Sequence, residues 1–221
     1  RGSPALGGGT LVNRAGFLLA RTLRLEAPLA RLSVPKAELL AELAGRRVAL
    51  VGNARSLSER DEGAEIDRAD LVIRINRAPM PASRTHGTRT DWLALATSIG
   101  AEDLDRVRPR RMLWMSHKRK RLHWRVATSP GFYLHPLPEW RALAEALGAP
   151  PTTGLMLIDL LAASGLAELR LHGFDFFASL SLTGSRRADQ VPHDFATEAR
   201  FVKALIARDP RVVQVGAPRG G

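Results

Sequence analysis

The 221-residue chain carries 33 lysines and arginines against 22 acids, a net charge of +11, with 45% hydrophobic residues and no cysteine. Such a length can bury a substantial core in one domain or at most two, and the missing cysteine excludes disulfides, thiol nucleophiles and thiolate metal sites. The positive field favours anionic partners, while no apolar run is long enough to span a membrane.

The opening RGSPALGGG has no initiator Met and is set aside from the fold argument. Leu11 to Leu32 is leucine-rich, with Arg14, Arg21, Arg24 and Arg31 interspersed and Pro28 interrupting it. As a basic amphipathic helix it suits packing on the domain first, and a membrane surface or lipid head group as the alternative. Pro35 to Leu43 reads as a short helix with Pro in its first turn, closed by Gly45.

Val48 to Val51 is the first predicted strand. It breaks at Gly52-Asn53, and after a loop or short helix over Glu59 to Ala69 a second strand, Leu71 to Ile75, also ends on an asparagine, Asn76. Two strands that each deliver an Asn at the carboxyl end suit the ligand crevice of an open α/β sheet. Gly52 permits close backbone approach, and an Asn side chain can donate to phosphate oxygens or accept from hydroxyls. Trp92 to Ala96 and Met112 to Met115 read as further strands.

From Arg106 to Arg125 there are nine lysines and arginines and no acid, with Trp114 and Trp124 flanking Lys118 to Arg121. An anionic acceptor or a membrane face fits this run. Nucleic acid is set aside because the aromatic interleaving is sparse and no RNA-module signature occurs. The acids Asp103 and Asp105 follow no hydrophobic strand and give no metal pair, and the six histidines show no short-spaced pair.

Pro136 to Gly148 holds a helix closed by its glycine. Thr152 or Thr153 then caps a long apolar helix over Leu155 to Ala163, whose first amides suit a phosphate. Asp159, its single acid, is expected to be a hydrogen-bonding core residue. A strand at Leu169 to Leu171 runs into His172-Gly173-Phe174-Asp175, and Ser179 to Pro192 reads as a surface loop holding Arg186 and Arg187. His193 stands before a helix over Phe195 to Arg208 capped by Asp194, and Val212 to Val215 is the last strand. His86, His117, His123, His135 and His172 are assigned to the structure or the surface.

In this order the motifs resemble the sialyltransferase type of glycosyltransferase, a family of animal enzymes and bacterial homologues. VALVGN with EIDRADLVIRINRAP and HGTRT resembles its large motif, and PTTGLMLIDLLAASGLAELRLHGFD its small motif. HDFATE, a His and a Glu separated by four residues, resembles its very small motif. The resemblance spans Val48 to Glu198.

It implies one Rossmann-like open twisted sheet flanked by helices, a variant of the GT-A-like arrangement. Residues 1–45 would be an extension with flanking helices and residues 46–221 the nucleotide-sugar-binding catalytic domain. No cofactor or metal is implied: a CMP-sugar is the donor substrate, and the anomeric centre is inverted. Asn53 and Asn76 match the asparagines at the nucleotide, beside Gly52. Thr153 and Gly154, following Thr152, match the hydroxyl and glycine at phosphate and ribose, and Gly173 with Phe174 lies beside the cytidine. His193 matches the catalytic base and Glu198 its companion, whose alternative role, about one turn into the helix, is to orient the loop or His193 instead of touching substrate.

The chain also departs from the family. Val48 and Leu166 stand where animal enzymes have a bridging pair of cysteines, so apolar packing must join these places. Ser179 to Pro192 lacks the family's His-aromatic motif, which makes Arg186 or Arg187 the substitute partner for the phosphate. The expected donor sugar is sialic acid or a related acidic keto-sugar, and the expected acceptor a glycan or lipopolysaccharide hydroxyl. The expected location is the cytoplasm, with peripheral inner-membrane contact through Leu11–Leu32 or Arg106–Arg125. Two other readings stay open: a non-catalytic module binding anionic glycan or lipid on the same fold, and a transferase for another nucleotide sugar.

Overall fold

Short aliphatic runs separated by turns have too little length to bury a helical stripe, and they pair instead as parallel strands. In the computed structural model, which describes residues 12–175 and 194–216, these are β1 (Arg47–Val51), β2 (Leu71–Ile75), β3 (Trp92–Leu95), β4 (Arg111–Trp114), β5 (Tyr133–Leu134), β6 (Glu168–His172) and β7 (Val212–Gln214). They form one sheet in the order β5-β4-β3-β2-β1-β6-β7, and every neighbouring pair is parallel. The chain moves outward from β1 to β5 and then returns to place β6 on the other flank of β1. The order therefore reverses between β1 and β6, and ligands of such sheets bind outside the carboxyl ends of the strands at that reversal.

Helices cover both faces. α3 (Lys36–Ala41), α8 (Leu137–Leu147), α9 (Thr153–Ala162) and α10 (Phe195–Arg208) bury Leu39, Leu143, Ile158 and Val202 against Val48, Leu50, Ile73 and Leu171. α1 (Arg14–Leu23), α2 (Glu26–Ala30), α6 (Ala101–Val107) and α7 (Trp124–Ala127) bury Phe17, Leu29, Leu104 and Val126 with Leu93, Leu95 and Trp114. α4 (Gly63–Asp67) covers Ala49, Val51 and Val72 on that second face and touches α5 (Ser83–His86). Val48 and Leu166 lie in one apolar cluster and are nearly inaccessible, so packing joins the two motifs without a bridge.

The N-terminal helix is two helices. The break falls at Arg24, whose left-handed backbone (φ 58°) closes α1, and not at Pro28. Pro28 lies in the first turn of α2, where a missing N–H costs nothing. Both helices contribute to the core through Phe17 and Leu29, and Val34 N–H donates to Phe132 O at 2.8 Å. Asp159 also differs from expectation. It is exposed on α9 and lines a cleft with Ala162, Phe201, Leu205 and Arg208, toward the carboxyl ends of α9 and α10 and away from the sheet's reversal point.

Candidate active site

β1 ends on Val51, and Gly52 and Asn53 follow at the reversal point. Gly52 N–H donates to His172 O (2.8 Å) and Ala54 N–H to Gly173 O (3.2 Å), so the two strand ends run on in register beyond the sheet. A side chain at Gly52 would collide with the Gly173 carbonyl and the Phe174 ring, and one at Gly154 would lie 2.6 Å from Phe174 Cε1. Phe174 therefore packs over two glycines contributed by different motifs. Its carbonyl is held by Gln214 Nε2 of β7 at 2.7 Å.

The two asparagines sit at neighbouring strand ends. Asn53 is buried, and its Nδ2 donates to Ile75 O at 3.4 Å. Asn76 occupies the left-handed region (φ 52°), which Asn tolerates better than most residues. Its Oδ1 accepts from Ala96 N–H (3.1 Å) and its own N–H donates to Ala94 O (2.8 Å), tying β2 to the end of β3. One face of the Asn76 amide thus serves the frame, and Nδ2 is the donor it has left for a ligand.

Thr152 is the cap of α9. Its hydroxyl accepts from Leu155 N–H (3.1 Å) and donates to Glu198 Oε2 (2.6 Å), while its own N–H donates to Glu198 Oε1 (2.7 Å). Both Glu198 oxygens are engaged this way, and the residue is only 3% exposed. Burial pushes its carboxyl up, against the pull of the two Thr152 hydrogen bonds. Glu198 belongs to the first turn of α10, whose cap Asp194 accepts from Thr197 N–H (2.9 Å) and hydroxyl (2.6 Å). Those bonds lower the Asp194 carboxyl. The clasp joins the N-termini of α9 and α10, an arrangement that neither sequence motif announces alone.

Gly52, Asn53, Asn76, Thr152, Thr153, Gly154, Gly173 and Phe174 are thus gathered along the carboxyl edge around β1, β2, β6 and α9. Thr153 and Gly154 are both buried in the first turn of α9, whose amides lack intrahelical acceptors. Glu198 stands behind this group, on Thr152. His193, Arg186 and Arg187 lie outside the described residues.

Sequence reasoning missed the buried partners under the crevice. His172, the last residue of β6, is fully buried with Nδ1 2.8 Å from Glu62 Oε2. This pair sets the strand end that delivers Gly173 and Phe174. A His-Gly pair closing a strand was its only sequence signal, because Glu62 lies 110 residues away. Arg74 of β2 is likewise buried, and its Nε donates to Arg89 O (2.9 Å) and Thr90 Oγ1 (3.1 Å). Burial brings its guanidinium down to about 10.

Four members of the basic run, Arg106, Arg111, Arg119 and Arg125, have acid partners from elsewhere in the chain. Arg119 is 2% exposed and bonds Glu26 through Nε and Nη2, at 3.0 Å each, and the carbonyls of Ser116 and His135. Arg111 pairs with Glu42, and Arg106 and Arg125 with Asp103 and Asp105. The run thus has acid partners in space, though none within its own sequence. Among the described residues, no three of His, Asp and Glu converge as a metal-ligand set.

The family model of glycosyltransferase family 29 (sialyltransferase) matches residues 21–129. No curated protein sequence matches the chain. Among solved structures, a mammalian sialyltransferase in complex with Gal-beta-1-3GalNAc-ortho-nitrophenol is similar at 17% identity with a TM-score of 0.60, over 93% of this chain and 80% of that one. A second mammalian sialyltransferase structure is similar at 18% identity and a TM-score of 0.56, over 83% and 78%. The sialyltransferase CstII from Campylobacter jejuni with cytidine-5'-monophosphate is similar at 14% identity and a TM-score of 0.53, over 78% and 80%.

Proposed function

Because the sialyltransferase family model matches residues 21–129, we propose that the chain is a sialyltransferase-type, CMP-sugar-dependent transferase that moves sialic acid or a related acidic keto-sugar to a glycan or glycolipid hydroxyl, with inversion. The observation that carries this reading is the crevice at the sheet's reversal, where Asn53, Asn76, the first turn of α9 and Phe174 meet around close backbone approaches at Gly52 and Gly154.

In this reading Asn76 Nδ2 and Asn53 contact the nucleotide, and Phe174 with Gly173 forms the floor beside the base. The Thr153 and Gly154 amides, at the positive end of α9, receive the phosphate as charge develops on it. Glu198 is a positioning residue: it fixes the cap of α9 and so the direction of those amides. His193, one residue before the cap of α10, removes the acceptor proton as the hydroxyl attacks the anomeric carbon opposite the departing CMP. Arg186 or Arg187 completes the charge around the phosphate.

The test is CMP release from a panel of nucleotide sugars, with and without glycan acceptors. Turnover with one CMP-keto-sugar donor, reduced about 100-fold or more in a folded His193→Ala protein, is the expected result. Undiminished turnover in that variant would remove the base assignment, and a preference for uridine or guanosine donors would remove the donor class.

A further inference from the structure

The four large apolar side chains exposed among the described residues fall within one short stretch: Leu18 (42%), Leu19 (59%), Leu23 (58%) and Leu25 (44%). At 100° per residue, Leu18, Thr22, Ala15, Leu19 and Leu23 follow one another around the outer arc of α1, while Phe17 and Ala20 face the core. This helix has a second apolar face with nothing of the described chain on it.

The surface next to that arc is basic. Arg21 Nη1 donates to Leu122 O at 3.0 Å, and the Phe17 and Trp124 rings meet at a tilt with centroids 5.2 Å apart, which fixes α1 against the turn holding Lys118 to Arg121. Lys118, Lys120 and Arg121 are exposed and form no ion pair among the described residues, unlike their neighbour Arg119. Arg14 and Arg24 are exposed on α1 itself. The two segments that the sequence offers as alternative membrane contacts are therefore one continuous surface.

We infer that this surface docks on an anionic lipid bilayer, with the leucine arc entering the head-group boundary and the Lys118–Arg121 rim meeting lipid phosphates. The combination selects that occupant. An apolar arc bordered by unpaired cations matches an interface that is apolar within and negative at its rim. A second copy of the chain would instead bring two basic rims together on molecules that already carry +11.

The rim follows β4 directly, so it lies at the carboxyl edge of the sheet, the edge that also holds the crevice. Docking turns that edge toward the bilayer. Resting on the proposed transferase reading, this makes the acceptor a hydroxyl presented by a lipid-anchored glycan.

Flotation of the full chain with phosphatidylglycerol–phosphatidylethanolamine vesicles, compared with phosphatidylcholine vesicles, tests the docking. Expected is recovery with the anionic vesicles only, weakened about tenfold or more both by Leu19→Glu with Leu23→Glu and by Lys118→Glu with Lys120→Glu and Arg121→Glu. Thermal melting and CMP binding should be unchanged in both variants, which reports the donor site independently of the docking surface. A milder pair, Leu19→Ser with Leu23→Ser, repeats the first arm if the glutamates disturb folding. Absence of the wild-type chain from anionic vesicles, or flotation of both variant sets equal to that of the wild type, overturns the proposal. So does a wild-type dimer in solution that the leucine substitutions dissociate.

Discussion

At the scale of single residues, the crevice depends on what is absent at Gly154 as much as on what is present. A methyl there would meet the Phe174 ring edge at 2.6 Å, so Gly154→Ala is expected to destabilise the fold by about 1–3 kcal/mol and to weaken CMP binding. The obstacle is a side chain, so the penalty should largely vanish in a Phe174→Ala background. Chemical denaturation of the four proteins of this cycle measures the coupling, and additive losses would show that the ring is not what fills the space. Gly52→Ala meets a carbonyl oxygen, and trimming Phe174 should not rescue it. His135 gives a pH signature. It is 2% exposed with neither ring nitrogen hydrogen-bonded, and burial pushes it down to about 4. Between that value and its unfolded value near 6.5, only the unfolded chain binds the proton, so stability is full above about 6.5 and falls as pH drops toward 4. His135→Leu should remove up to about 3 kcal/mol of that acid loss, read as a flatter slope of unfolding free energy between pH 4 and 7. An unchanged slope would assign the acid sensitivity to other groups.

At the scale of elements, the ties that matter join segments far apart in the chain. Arg119 is buried against Glu26, 93 residues away, so α2 is pinned to the turn after β4 by a charge that has left water. Removing the acid while keeping the arginine should cost about 3 kcal/mol, and Glu26→Ala is expected to lower the midpoint of urea unfolding. Glu26→Ala with Arg119→Met should recover much of the loss, because an apolar chain replaces an unpaired charge. A double variant as unstable as the single one would mean that the Ser116 and His135 carbonyls had been the real partners of the guanidinium. The same separation explains what the sequence could and could not disclose. β1, β2, α9 and α10 are legible because aliphatic runs, Thr or Asp caps and Gly breaks are local signals, and the ordered motifs name residues that the structure gathers at the sheet's reversal. β5 was missed because two residues, Tyr133 and Leu134, show no period. Four-residue helices such as α5 and α7 escaped for the same reason. The Thr152–Glu198 clasp and the His172–Glu62 pair could not be read, since each joins residues whose proximity exists only after the sheet has formed.

At the scale of the whole molecule, charge is arranged at two ranges, and they should separate in kinetics. Close range is the crevice, where the first turn of α9 and the amide groups of Asn53 and Asn76 are held by hydrogen bonds to the frame. In the proposed mechanism such preorganised donors stabilise the leaving phosphate with little sensitivity to salt, because screening acts mainly on exposed charges. Long range is the net charge of +11, which raises the local concentration of an anionic donor and speeds its arrival. Raising ionic strength from about 0.02 to 0.5 M shortens the Debye length from roughly 20 Å to about 4 Å. kcat/KM for the donor should then fall several-fold while kcat stays nearly constant. Charge on the departing phosphate is assigned in this scheme to amides and guanidinium groups, so excess chelator should leave both constants unchanged. A kcat that fell with salt would mean that exposed cations stabilise the transition state, moving the catalytic weight from α9 to surface arginines. A kcat that fell with chelator would require a metal and overturn the assignment of the phosphate to the chain's own donors.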